Sequence, residues 1–223
     1  MTENKKYELT DEAKEWRGHT LHRIRALKNF GSVKAGELGG WVESEHNLSQ
    51  DGDCWIYDDA IVCDNAAVCG DATVGKYARV CNTATVYGNA VINGYALVYG
   101  HAVVCGRATV RDCASVGEYA TICDNAAICN GATICGRAKV YDNAVVCDDT
   151  DYAVVQGFGR EQRATTFYRL KDGDIGVSCG CFRGTIKQFM DRVKETHGGS
   201  KYAQEYLMIA DLMELHFGEG NKI

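Results

Sequence analysis

The chain has no proline, no basic surplus and no long apolar run, and each absence removes a class of protein. Without proline there are no X-Pro cis turns and no proline-broken elements, so the chain must be punctuated by other residues. With 24 Lys+Arg against 30 Asp+Glu, a net charge of −6 and a pI near 5.5, it lacks the positive field that non-specific nucleic-acid or anionic-membrane binding needs. A local basic site remains open. The opening text MTENKKYELTDEAKEW has no apolar core of a secretory signal, and no 18-residue apolar stretch follows, so neither export nor a membrane span is expected. The expected location is the cytoplasm. There the twelve cysteines are expected to be reduced thiols, not a disulfide framework.

What the chain does have is a period of six. From Ala60 to Asp149 the text runs AIVCDN AAVCGD ATVGKY ARVCNT ATVYGN AVINGY ALVYGH AVVCGR ATVRDC ASVGEY ATICDN AAICNG ATICGR AKVYDN AVVCDD, fifteen hexads without a gap. Position one is always Ala and position three always Val or Ile. Position five is Gly, Asp or Asn in thirteen of fifteen; the exceptions, Lys76 and Glu118, each follow a Gly. CWIYDD, Cys54 to Asp59, reads as a degenerate sixteenth. A six-residue unit is too short for a helix pair and out of phase with a heptad. It fits one short strand and one tight turn, with the β-branched residue inward, Ala at a crowded corner and Gly/Asp/Asn in the turn. Three such sides close an 18-residue coil, and coils stack at about 4.8 Å. The fold class is therefore mainly β, a single-stranded left-handed parallel β-helix over 54–149, with a cap over 1–53 and a small α+β domain over 150–223.

The register accounts for most of the cysteines. Cys63, Cys69, Cys81, Cys105, Cys123, Cys129, Cys135 and Cys147 share position four with Tyr87, Tyr99 and Tyr141, which argues for packing, not ligation. Pairs 18 apart (Cys63/Cys81, Cys105/Cys123, Cys129/Cys147) should sit on neighbouring coils. At the coil spacing their Cβ atoms exceed the usual disulfide separation, so unbridged thiols are expected, and without a His at zinc spacing no metal is expected either.

In the flanks, the alternating run Thr20 to Leu27 and the three Trp (Trp16, Trp41, Trp55) suit a strand-and-aromatic cap over an open coil end. After the repeat, YAVVQGFG, ATTFYRL and IGVSCGCF read as two or three strands around a Lys171–Asp174 turn. Thr185 and Gln188 form a capping box opening a helix that Gly198–Gly199 stops, and a second helix follows Ser200.

The segment HRIRALKNFGSVKAGELGGWVESEHNLS followed by AxVxGN-type hexads resembles the YdcK-like β-helix proteins, often labelled acyltransferases, over roughly residues 7 to 149. The tail, with CGCFRGTIKQF and KETHG, resembles a small domain of phage-encoded relatives. The resemblance implies a homotrimer and a phage origin, hence host cytoplasm; the transferase label follows the fold and implies little about chemistry. Acyltransferases of this fold use a His base and loops that interrupt the coils. Here the repeat has no insertion and one His, His101.

Steps of 18 from His101 give Tyr119 and Arg137, a corner column beside Tyr99 that could hold an anionic, nucleotide-like ligand; a plain solvated edge is the alternative. Arg160, Arg163, Arg169 and Arg183 form a second basic set, in a tail balanced at ten Lys+Arg against ten Asp+Glu. Arg23 and Arg25 are a smaller pair. Cys179, Cys181 and His197 could supply three zinc ligands, against a reading as buried structural groups. Finally, the outward residues Thr73, Val91, Thr109, Ala127 and Val145 form a column without charge, expected to pack on another subunit or on the tail helix. The expectation is a non-catalytic homotrimeric scaffold, without cofactor, metal or membrane partner. It would sequester a small anionic host signal as an anti-defense protein, or bind a host protein; an acyltransferase and a structural spacer are the alternatives.

Overall fold

The computed structural model describes residues 5–218. A long antiparallel hairpin, β1 (Tyr7–Trp16) and β2 (His19–Ala26), leads through β3 (Leu38–Val42) into sixteen two-residue strands, β4 (Trp55–Ile56) to β19 (Val145–Val146). These form three parallel faces. Ile61, Arg79, Leu97, Ser115 and Thr133 stack in register on one. Ala67, Thr85, Val103, Thr121 and Lys139 stack on the second. Thr73, Val91, Thr109, Ala127 and Val145 stack on the third. The coil stack, the fold class read from the hexads, starts earlier than they do: Trp41 pairs with Ile61 and Leu48 bridges Val68, so residues outside the repeat build a first coil.

Inside, every Ala of position one and every Val or Ile of position three is at most 1 % exposed. The turn residue has a double task. Position five lies at positive φ from Asp58 to Asp142, including Lys76 (56°) and Glu118 (55°), so the turn conformation stays at position five even where Gly precedes it. Gly117 serves a different need: a Cβ there would lie 2.1 Å from the Tyr99 ring on the previous coil. The polar turn side chains also reach along the stack. The Asp64 carboxylate accepts from the Asn82 backbone N–H at 2.8 Å, Glu118 from Gly136 at 2.8 Å and Asp112 from Asn130 at 3.2 Å, which explains why Asp and Asn alternate with Gly.

The coils have a polarity that dictates their caps. Between coils the backbone N–H groups donate forward (Trp55 N–H to the Ala72 carbonyl, 3.1 Å; Thr73 to Ala90, 2.9 Å), while the position-one Ala N–H closes its own turn (Ala66 to the Cys63 carbonyl, 3.2 Å). The first coil is therefore left with carbonyls and the last with N–H groups, and buried backbone groups must be paired. The N-terminal end receives donors. The Lys6 ammonium reaches the carbonyls of Cys54, Gly52 and Asp51 at 3.0, 3.2 and 3.4 Å, and the Tyr7 hydroxyl those of Leu48 and Glu45 at 2.7 and 2.9 Å. The C-terminal end receives acceptors: Asp149 takes the Thr133 N–H at 2.7 Å, Asp151 that of Cys147 at 3.0 Å and the Thr166 hydroxyl that of Lys139 at 3.0 Å. Trp55, flanked edge-on by Tyr7 and Phe30, plugs the first end; Tyr168, fully buried, lies at the other.

The C-terminal domain has four antiparallel strands, β20 (Tyr152–Val155), β21 (Thr165–Arg169), β22 (Ile175–Cys179) and β23 (Phe182–Thr185), one more than the sequence suggested. Helices α1 (Ile186–His197) and α2 (Lys201–Phe217) pack on this sheet through Phe167, Val177, Phe189, Tyr206 and Met213. Thr185 and Gln188 form the expected capping box. Because both helices pack on their own sheet, the tail helix does not take the uncharged column, where Val91 is 36 % exposed.

The cysteine expectation needs correction. Cys105–Cys123 and Cys129–Cys147 are disulfides, each with Cα atoms 4.6 Å apart. That is inside the range a bridge spans; the coil spacing is a Cα separation, and as such it permits a bridge although it exceeds the usual Cβ value. The third such pair, Cys63 and Cys81, remains as thiols joined by a hydrogen bond, which raises the pKa of Cys63 and lowers that of Cys81.

Candidate functional site

The corner column exists as a continuous stack. The Thr83 hydroxyl lies 2.6 Å from His101 Nδ1; the His101 ring stacks on Tyr119 at 4.8 Å and 13°; the Arg137 guanidinium lies over Tyr119 at 5.6 Å. Each step is one coil, so the vertical repeat brings residues 18 apart into contact. Tyr99 is not part of this stack, since its ring lies on Gly117.

The column runs into a cleft where the last coils meet the C-terminal domain. This cleft, about 360 Å³, is lined by Tyr119, Arg137 and Lys139 from the coils and by Gln156, Gln162 and Arg163 from the domain, with Glu161 at its edge. Arg163 is set against Gly180 at φ +61°, where a Cβ would come within 2.7 Å of its guanidinium, and lies 3.8 Å from Glu161. Three cations and one carboxylate converge beside an aromatic ring that is 57 % exposed. Such a set can pair with phosphate or carboxylate oxygens and stack a planar group.

The remaining arginines are distributed elsewhere. Arg160 lies 4.0 Å from Glu161 and lines a second cleft with Arg163, Cys179, Cys181 and His197. Arg169 is held by Asp151 at 3.0 Å and by the Phe217 carbonyl at 3.1 Å, so it ties α2 to the coil end. Arg183 lies 3.5 Å over the Tyr141 ring and 3.5 Å from Asp124, beside a cleft lined by Asp142, Lys171 and Gln188. Arg25 pairs with Glu8, and Arg23 lies over Trp41 at 5.1 Å. Cys179 and Cys181 share a cleft with His197, yet the Cys179 sulfur is taken by the Thr165 hydroxyl at 3.1 Å.

Lys139, Gln156 and Gln162 were missed from sequence. Lys139 carried a signal, as a cation two residues from Arg137 in a column otherwise uncharged. The glutamines carried none, because only docking of the domain brings them to the coil.

No family model matches the chain. It is 35% identical over 66 residues to the uncharacterized acetyltransferase YdcK of Escherichia coli K12, a match covering 26% of this chain and 20% of that protein. The chain thus spans about a fifth of that relative's length. The match and the 18-residue parallel coils fit a hexapeptide-repeat β-helix family. Among the described residues, no helix is long and apolar enough to cross a membrane.

Proposed function

For this hexapeptide-repeat β-helix, we propose a non-catalytic binding role in which the coil–domain cleft holds a small anionic, nucleotide-like ligand. The observation that carries the reading is the unbroken stack from His101 through Tyr119 to Arg137, ending where Lys139 and Arg163 face the same space. An exposed ring offers stacking, and fixed guanidinium groups offer paired donors. The chain is proposed to act as a homotrimer, which the uncharged column with its exposed Val91 supports. Sequestration of a host signal is the corresponding biological role.

Thermal-shift and calorimetric titration with nucleoside phosphates, dinucleotides and inorganic phosphate test the reading. Binding is expected with 1:1 stoichiometry per chain. Arg163→Ala and Arg137→Ala should each weaken it by about tenfold or more, from charge-assisted bonds of about 1.5–3 kcal/mol, while Arg183→Ala leaves it unchanged. Bound ligand should also be released intact on denaturation. Equal binding by all three variants overturns the assignment.

A second reading, an acetyl-transferring enzyme, is favoured by the name of the E. coli relative. His101, held by Thr83 through Nδ1, is the base it would use. It requires acetyl-CoA turnover that His101→Ala abolishes; no turnover with wild-type protein removes it.

A further inference from the structure

The N-terminal hairpin brings a histidine to the unbridged cysteine pair. His19 opens β2, and its ring meets the first hexad where Cys63 and Asp64 turn the corner. The imidazole nitrogen, the Cys63 sulfur and an Asp64 oxygen lie within 4.8 Å of one another; His19 Nε2 is 3.6 Å from Asp64 Oδ1. Cys63 is 1 % exposed and hydrogen-bonded to Cys81 on the next coil. We propose that His19, Cys63, Cys81 and Asp64 form a zinc site that fastens the hairpin to the first two hexapeptide coils.

The surroundings already hold His19 and Asp64 in position beside Cys63, and Cys81 joins through its hydrogen bond to Cys63. The other nitrogen of His19, Nδ1, lies 3.1 Å from Glu43 Oε2, which turns Nε2 toward the cluster. This is the carboxylate–histidine arrangement that orients zinc-bound imidazoles. The same Glu43 oxygen accepts the Asp64 N–H at 2.7 Å, and Asp64 Oδ2 is occupied by the Asn82 backbone and side-chain amides at 2.8 and 3.2 Å. Oδ1 is thereby left facing His19. Two sulfurs, one imidazole and one carboxylate suit tetrahedral zinc, with bonds of about 2.0–2.3 Å; calcium and magnesium take oxygen ligands. The other two cysteine pairs of the same spacing are bridged. The Cys63/Cys81 pair differs in having His19 beside it.

The full chain, purified with reductant and stripped with EDTA, is titrated with zinc against a chromophoric chelator and, separately, with cobalt(II). The expected result is about one equivalent bound per chain, with tetrahedral cobalt bands and a thiolate-to-cobalt charge-transfer band. Cys63→Ser, Cys81→Ser and His19→Gln should abolish stoichiometric uptake, and Glu43→Gln should weaken it about 10- to 100-fold. The double variant Cys129→Ser/Cys147→Ser should bind as wild type. The His19 side chain is 27 % exposed, so His19→Gln should leave the fold intact, which circular dichroism checks, and it stands if a cysteine variant does not fold. Absence of uptake by the reduced, folded chain, an octahedral cobalt spectrum, or uptake unaffected by His19→Gln and Cys63→Ser overturns the site.

Discussion

The polarity of the coil stack makes Lys6 the residue whose loss should be felt most at the N-terminal end. The residue is buried, 1 % exposed, with its ammonium against carbonyls at 3.0 and 3.2 Å, a third at 3.4 Å, the Cys54 sulfur at 3.2 Å and the Phe30 ring at 5.2 Å. Lys6→Met keeps most of the stem volume and removes the donors, so packing is largely preserved while first-coil carbonyls lose their partner. With about 1.5–3 kcal/mol for each charge-assisted bond and two short ones, the loss should be roughly 3–6 kcal/mol. Lys5→Met supplies the contrast. Lys5 pairs with Glu45 at 2.9 Å in solvent, at 36 and 51 % side-chain exposure, and should cost below about 1 kcal/mol. Urea unfolding gives the two magnitudes. Hydrogen exchange gives the location: coils contact mainly their neighbours, so protection should fall around Trp41 to Val62 and persist from Ala108 to Val146. Equal costs for Lys5→Met and Lys6→Met, or protection lost evenly along the stack, would refute the capping argument.

Other expectations follow from the same structure. If the chain forms the proposed homotrimer through the uncharged column, the double variant Val91→Glu/Ala127→Glu should give a monomer in light scattering, because it places charge there; an unchanged mass removes that column as an interface. In denaturant with EDTA and no reductant, eight thiols should react, rising to twelve on reduction. Opening Cys105–Cys123 should cost about 3 kcal/mol, from the entropy of an 18-residue loop; a count of twelve before reduction contradicts both bridges. Burial raises the phenols of Tyr152 and Tyr206 to about 12 and those of Tyr7 and Tyr168 still further. The unfolded chain therefore loses these protons first, so stability should hold up to about pH 10 and fall as pH rises toward 12. Tyr206→Phe should shallow that fall, as read by urea midpoints against pH; a slope unchanged by the variant excludes this phenol as a contributor.

The repeat was legible because each of its constraints is local: a strand of two residues, a left-handed turn residue and an Ala corner recur six residues apart. The stack His101–Tyr119–Arg137 was legible for the same reason, since a shift of 18 is a contact in a coil. The disulfides went unread because the coil spacing is a Cα separation, which at 4.6 Å admits a bridge, and comparing it with the Cβ value excluded one. The tail arginines looked like one set in sequence, but Asp151, Asp124 and Glu161 hold Arg169, Arg183 and Arg163 at separate places.

The sequence by itself determined the coil, its register, its core and the neighbours 18 residues apart, because hexad periodicity encodes position in space directly. Only the tertiary structure decided what closes each end and what meets the coil from outside. Lys6 covers first-coil carbonyls, Asp149 and Asp151 cover last-coil N–H groups, Arg163 joins the corner column, and His19 joins Cys63. These pairs have no common period, and their meeting depends on how the hairpin and the C-terminal domain satisfy the polarity of the open coil ends.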